Sequence, residues 1–189
     1  MSGIECAIFF DENGYSIDTK KLMGRNAAGA SFLKGYFLYG EPRNFWVYSK
    51  QQSEAQVFAD MMSQNSARTD AKYISWSNFH ELKVPGNLFF PGPNFNKLAW
   101  QRRFVGDSAW SLCGITHTTA SAAVMDAIGD YFTSPVKEWD ALICTSNAVK
   151  DNVEFVLEKK KKYLRDELGL SVFRSPKMPV IPLGINSSD

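Results

Sequence analysis

The chain has 189 residues, 44% of them hydrophobic, so it is long enough for a globular domain with a buried core. Its 21 Lys and Arg residues nearly balance 20 Asp and Glu residues, and this near-neutral charge disfavours a dedicated nucleic-acid-binding protein. No apolar run approaches the roughly 18 residues of a membrane span. The start of the chain also lacks the basic segment of a secretory signal peptide. These features predict a cytoplasmic protein with at most peripheral contact to a membrane.

Short apolar runs typical of strands alternate with helical stretches along the chain. The predicted strands are residues 4–10, 44–49, 71–76, 87–94, 109–115, 139–146 and 178–186. The predicted helices are residues 26–40, 53–65, 95–104, 118–132 and 147–169. Ser53 is expected to cap the second helix and Gly169 to end the last one. This alternation predicts a single α/β domain over residues 1–189 with a mostly parallel sheet.

The cysteines give no sign of a disulfide framework or a zinc site. Cys6, Cys113 and Cys144 each lie in a short apolar segment, and the odd count contains no close pair. They are expected to be reduced and buried, with a reactive thiol as the alternative. His80 has no Cys or His neighbour at metal-ligand spacing, so no metal is expected.

The segment GRNAAG, residues 24–29, follows the first predicted strand and opens a helix. Amide groups at a helix N-terminus can hold a phosphate, and glycines let a ligand approach the backbone. The spacing is not that of a dinucleotide fingerprint, and a glycine-eased helix start with close packing is the favoured alternative.

The segment THTTAS, residues 116–121, lies where a buried strand ends and a helix begins. Ligands of open α/β sheets bind at such strand ends, and a histidine there can both donate and accept hydrogen bonds. A ligand role for His117 and a structural role are equally favoured by this pattern. Thr118, Thr119 and Ser121 are more simply explained as helix caps.

Two further segments carry polar or charged clusters. In CTSNAV, residues 144–149, Ser146 or Asn147 is expected to cap the last helix, and a ligand contact is the weaker reading. The run EKKKKYLRDE, residues 158–167, is expected to be a solvated helix face, with contact to anionic lipid as the alternative. The aromatic residues of segment 77–107, together with Arg102 and Arg103, can equally meet a sugar or an anionic acceptor, or form core and surface.

Four stretches resemble a known family. They are LMGRNAAGASFLKG (22–35), SLCGITHTTASAAVMDAIGD (111–130), WDALICTSNAV (139–149) and PVIPLGIN (179–186). In order and spacing they resemble the N-terminal domain of the family 4 GT-B glycosyltransferases, the group 1 transferases of bacteria. The resemblance covers essentially the whole chain and is looser between residues 40 and 100. It implies a Rossmann-like, three-layer α/β domain.

The resemblance also implies a chemistry. Such enzymes transfer a sugar from a nucleotide-sugar to an acceptor with retention at the anomeric carbon, usually without a bound metal or other cofactor. The N-terminal domain mainly holds the acceptor, which can be a saccharide, a lipid or a small molecule.

Residue roles follow from the matched positions. Gly24, Arg25, Asn26 and Gly29 match the loop that approaches the donor phosphates, although the family more often has adjacent glycines. His117 matches the histidine that faces the transferred sugar, where it would position hydroxyl groups. Four polar residues, at strand ends or in segment 77–107, are further candidate sugar or acceptor contacts. They are Thr116, Thr118, Ser146 and Arg103.

The match is incomplete at its C-terminal side. Asn186 stands where the family often has Asp, and no two glutamates are eight positions apart, as they are in the family's nucleotide-sugar domain. We therefore expect a missing C-terminal domain and no sugar transfer by these residues alone. The alternative is a non-catalytic Rossmann-like module that binds a small ligand or a protein. A nicotinamide dehydrogenase ranks third, because the first strand–helix junction lacks the required glycine spacing.

Overall fold

A computed structural model describes residues 5–15, 24–42, 44–65, 71–117, 119 and 121–184. The chain divides into two compact units. The first comprises Met1–Pro91 with Leu183–Asp189, and the second comprises Gly92–Pro182.

The first unit contains four parallel strands with helices in the connections. Its strands are β1 (Ala7–Phe9), β2 (Phe45–Ser49), β3 (Ala71–Ser75) and β4 (Asn87–Phe89), in the order β3-β2-β1-β4. Its α-helices are α1 (Glu12–Tyr15), α2 (Gly24–Tyr39) and α3 (Gln52–Asn65), and a 3-10 helix spans Trp76–Lys83. The chain leaves β1 toward β2 and β3 on one side and returns to place β4 on the other.

The second unit has the same alternation. Its elements are α4 (Asn96–Arg103), β5 (Ser111–Ile115), α5 (Ala122–Gly129), a 3-10 helix (Asp130–Thr133), β6 (Ala141–Ile143) and α6 (Asn147–Leu168). Strands β5 and β6 pair in parallel, with Ile115 opposite Ile143. Isolated parallel bridges join Ala141 to Lys177 and Cys144 to Val180 beside β6.

These elements confirm the predicted fold class. The strands of the first unit have the order β3-β2-β1-β4, β5 pairs with β6 in the second unit, and the pairs β1–β2, β1–β4, β2–β3 and β5–β6 are all parallel. That order is the one found in doubly wound, Rossmann-like folds. No helix in the described part of the chain is both long and apolar enough to cross a bilayer.

Several predicted boundaries are wrong, two of them for identifiable physical reasons. Ser53 lies inside α3, because the carboxylate of Glu54 accepts a 3.0 Å hydrogen bond from the Gln51 amide and starts the helix earlier. The helix predicted from residue 118 begins at Ala122. Within the described part of the predicted strand 178–186 only isolated bridges form, since Pro179 has no amide to donate to a ladder.

Helix α6 confirms its predicted end, and its buried apolar stripe is shorter than the helix. Gly169 follows the helix with φ of 67°, the left-handed conformation that favours glycine. Val153, Leu157 and Leu164 are buried, whereas Leu168 is 61% exposed, so the buried stripe stops before the last turn.

The interior of the first unit is largely aromatic. Phe10 stacks on Tyr15 at 5.2 Å and meets the edge of Phe58 at 5.6 Å. Phe58 and Phe45 each make an edge contact with Phe37 of α2, at 5.1 and 5.6 Å. These rings hold α2 and α3 against one face of the strands through non-directional burial.

The interior of the second unit contains a buried ion pair. Arg102 of α4 and Asp140, which precedes β6, are both 0% exposed, and the guanidinium donates two hydrogen bonds of 2.6 and 2.9 Å to the carboxylate. Asp140 also accepts from the amides of Leu112 and Lys137, each at 2.8 Å. Arg102 in turn donates to the carbonyls of Trp110 and Pro135. One carboxylate thus joins α4, β5 and the start of β6.

Candidate functional site

In the second unit, the carboxyl end of β5 is tied to β6 by one threonine. Thr116 is fully buried, and both its amide and its hydroxyl donate to the carbonyl of Ile143, at 2.9 and 3.1 Å. The hydroxyl of Thr116, a candidate sugar contact from the sequence, therefore already donates its proton to a hydrogen bond within the protein. Thr116 fixes the strand end from which the next residue projects.

His117 is that next residue. It is half-buried and comes directly after a strand whose Leu112, Gly114 and Ile115 are buried. The carboxyl end of a parallel strand is the usual place for ligands in open α/β sheets. Thr118 lies outside the described residues. Ser121 precedes α5 in an extended conformation, but its side chain does not make the predicted capping bond.

The start of α6 lies at the same edge, because β5 and β6 are parallel neighbours. Ser146 caps the helix as predicted: its backbone is extended and its hydroxyl accepts a 3.2 Å hydrogen bond from the Val149 amide. Asn147, the first helical residue, is exposed. A 22-residue helix thus directs the positive end of its dipole to this edge, which favours negative charge there.

The proposed phosphate loop forms the first turns of α2 in the first unit. The side chains of Arg25 and Asn26 lie outside the described part of the chain, and Gly24 is the first helical residue. Gly29 is buried, and a Cβ atom added to it would lie 2.6 Å from the carbonyl oxygen of Gly14. Gly29 therefore allows α2 to approach α1, as the packing alternative requires. A phosphate role for Gly24, Arg25 and Asn26 stays a prediction.

Sequence reasoning missed an aromatic cluster at the carboxyl ends of the strands in the first unit. We call Phe9, Tyr48, Trp76 and Phe90 the aromatic edge. Phe9 and Tyr48 are register partners on β1 and β2 and share one sheet face. Trp76 stacks on Tyr48 at 5.3 Å, and Phe90 meets Phe9 at 5.1 Å. The signal in the sequence was an aromatic residue within one position of each of four strand ends.

The aromatic edge is partly open to solvent. Tyr48 is fully buried, whereas Trp76 is 38% exposed and Phe90 is half-buried. The ammonium group of Lys50 lies 5.9 Å from the centre of the Trp76 ring. An exposed aromatic ring next to a cation offers a stacking surface for a sugar or another ring.

Segment 77–107 separates into core and surface. Phe89, Phe95 and Arg102 are buried, so these three cannot meet an acceptor at the surface. Trp100 and Arg103 lie on the exposed side of α4. Trp100 and Arg103, like the half-buried aromatic residues of the segment, keep the acceptor-contact interpretation that the sequence left open.

Within the described ranges, no cluster of three or more His, Cys, Asp or Glu side chains is placed to hold a metal ion. Burial, with a smaller effect from Asp140, raises the pKa of Cys113 to about 11, so this thiol is poorly suited to act as a nucleophile at neutral pH.

Comparisons with known proteins identify no relative: no protein-family model matches the chain, and searches of curated proteins and of solved structures find no match.

Proposed function

We propose that the chain is the acceptor-side domain of a retaining glycosyltransferase, which moves a sugar from a nucleotide-sugar to an acceptor. One observation carries the proposal: His117 directly follows buried strand β5, at a strand end that the two hydrogen bonds of Thr116 to Ile143 fix. A group held in this way needs little reordering when it binds a ligand, because its backbone is already fixed. The resemblance of four sequence stretches to group 1 glycosyltransferases supplies the chemistry.

The imidazole of His117 suits a sugar because it has one nitrogen that can donate and one that can accept a hydrogen bond when it is neutral. Its proposed role is to position sugar hydroxyl groups, with no covalent step. The dipole of α6, directed to the same edge, favours an anionic group of a ligand bound there.

The aromatic edge of the first unit supports a ring-shaped acceptor. The C–H groups of a sugar ring can cover the apolar face of an exposed indole such as Trp76, while Lys50 can bind an anionic substituent. In this proposal Gly24, Arg25 and Asn26 keep their assignment to the donor phosphates, Gly29 lets α2 pack closely on α1, and no metal or other cofactor takes part.

The two histidines allow a direct test of ligand binding. His117 and His80 are the only histidines in the chain, and His80 is exposed in the 3-10 helix Trp76–Lys83. We expect the imidazole ring signals of His117, followed by NMR, to shift when nucleotide-sugars or methyl glycosides are added. Those of His80 should stay in place. Equal shifts of both histidines, or no shift with any of these ligands, would contradict the proposal.

Variants of the same two residues extend the test. His117→Ala should weaken binding of the responding ligand by about tenfold, equivalent to about 1.4 kcal/mol, whereas His80→Ala should leave it unchanged. Thermal unfolding of both variants checks that the fold is retained. If only ligands without a sugar or nucleotide shift His117, the non-catalytic binding module is the better explanation.

A further inference from the structure

The C-terminal end of α4, in the second unit, exposes large apolar side chains. Phe104 is 86% exposed, Trp100 is 50% exposed and Val105 is 38% exposed. We call these three residues, with the exposed cations Lys97 and Arg103, the α4 patch. Single exposed apolar residues are common on protein surfaces, whereas a contiguous group of large ones is typical of an interaction site.

The geometry of α4 explains why these side chains cannot turn inward. Leu98, Ala99 and Arg102 form its buried side, and Arg102 is held by the ion pair with Asp140. Positions 97, 100 and 104 are spaced by three and four residues, so they lie along one side of the helix. The buried ion pair therefore fixes which side of α4 faces solvent.

The charged residues of the α4 patch itself have one sign. Between Gly92 and Gly106 the sequence has Lys97, Arg102 and Arg103 and no Asp or Glu. The next acidic residue, Asp107, forms a 2.6 Å ion pair with Lys137. The exposed charges among the apolar side chains of the patch are thus cationic.

The lysine run on α6, residues 159–162, differs from the α4 patch because acidic side chains pair with most of its lysines. The ammonium groups of Lys160 and Lys161 lie 3.2 and 3.3 Å from the carboxylates of Asp130 and Glu158. Lys162 pairs with Asp166. Most of the run is thus neutralised locally, which agrees with its expected role as a solvated helix face.

We propose that the α4 patch binds an anionic lipid surface. Trp100, Phe104 and Val105 would enter the boundary between headgroups and acyl chains, where Trp and Phe are the preferred side chains. Lys97 and Arg103 would contact lipid phosphates at the level of the headgroups. The charge of the patch and the exposed indole favour this occupant over a second copy of the chain, whose patch would carry the same cations. The proposal does not depend on the sugar chemistry of the strand ends.

The experiment measures sedimentation of the protein with vesicles. We compare vesicles of phosphatidylcholine alone with vesicles that also contain phosphatidylglycerol. We expect binding to the anionic vesicles, weakened by added salt, and a loss of at least about tenfold in the double variant Trp100→Ala, Phe104→Ala. Replacing Lys97 and Arg103 by Gln should remove the preference for the anionic vesicles.

A matched control is available on α6. Phe155 is 60% exposed, and the ammonium of Lys159 lies 5.1 Å from its ring, so it is another exposed aromatic next to a cation. Phe155→Ala should bind vesicles like the wild type. Because all the altered side chains are exposed, the variants should keep their thermal unfolding midpoints.

Three results would overturn the proposal. They are failure of the wild-type chain to bind anionic vesicles, unchanged binding by the double aromatic variant, and an equal loss in Phe155→Ala. A wild-type dimer in solution that the double variant disrupts, without vesicle binding, would assign the patch to a second copy of the chain instead.

Discussion

The two units stabilise their strands in different ways. In the first, contacts among aromatic rings such as Phe10, Phe37 and Phe58 hold the helices against the strands. In the second, the buried pair of Arg102 and Asp140 and the hydroxyl of Thr116 join neighbouring strands through directional bonds. Aromatic packing tolerates changes of shape, whereas a buried polar network must be complete. The difference teaches that strand ends held by such a network can position a functional group accurately.

Breaking the buried polar network of the second unit should have the largest effect on the free energy of unfolding. We expect Asp140→Asn to lower the free energy of unfolding by about 3–5 kcal/mol, because it leaves the buried guanidinium of Arg102 without a counter-charge. Urea unfolding measures the loss. Asp166→Asn, which removes an exposed ion pair with Lys162, is the matched control and should cost no more than about 1 kcal/mol.

A second substitution tests whether the uncompensated charge of Arg102 causes this loss of stability. Arg102→Met added to Asp140→Asn should recover part of the stability, since the uncompensated charge is gone. If the double variant is less stable than Asp140→Asn, packing of Arg102 is the larger contribution, and the contrast between the two units weakens.

A conservative change in the aromatic interior of the first unit should lower the free energy of unfolding by less. Phe58 is fully buried against Phe10 and Phe37. We expect Phe58→Leu to lower the free energy of unfolding by about 1–2 kcal/mol, because neighbouring rings can close part of the space. The same urea experiment applies. A loss as large as that of Asp140→Asn would mean that the aromatic interior is as intolerant as the polar one.

An effect that is absent at neutral pH is expected from a pH dependence in the second unit. Cys113 has a pKa of about 11 in the folded chain, raised first by burial and then by Asp140. The unfolded thiol ionises near pH 8.5. Because the folded pKa is the higher one, its contribution to stability is complete below about pH 8.5 and is lost as the pH rises toward 11.

Stability measured at pH 7 and pH 10 tests this effect. Wild type should lose more stability than Cys113→Ala over that interval, since the variant lacks the ionising group. Equal losses in both proteins would show that Cys113 does not contribute to the pH dependence.

Much of the fold could be predicted from the sequence because strand and helix periodicities alternate so regularly. The positions of β1, β2, β3 and β5 and the end of α6 at Gly169 follow from local patterns alone. The early start of α3 could not, because it depends on a hydrogen bond from Gln51 to the carboxylate of Glu54. Helices as short as α1 leave too few residues for a periodic signal.

The candidate sites were predictable only in part. The location of His117 followed from its place after a buried strand. The burial of Arg102 was not foreseeable, since arginine is usually exposed and its partner Asp140 lies 38 positions away along the chain. The aromatic edge was missed for a similar reason: its four rings come from four separate strand ends, and only the parallel register brings them together.

The bridges beside β6 have a consequence for self-association. Residues 177–181 run parallel to β6, and their backbone bonds to Asp140, Leu142 and Cys144 cover its outer side. They therefore become the edge that an incoming strand would meet. Pro182, which follows directly, has no amide hydrogen to offer such a strand, and Lys177 is charged and exposed at the other end. An edge this short, ended by proline and charge, is a poor template for intermolecular β-sheet growth.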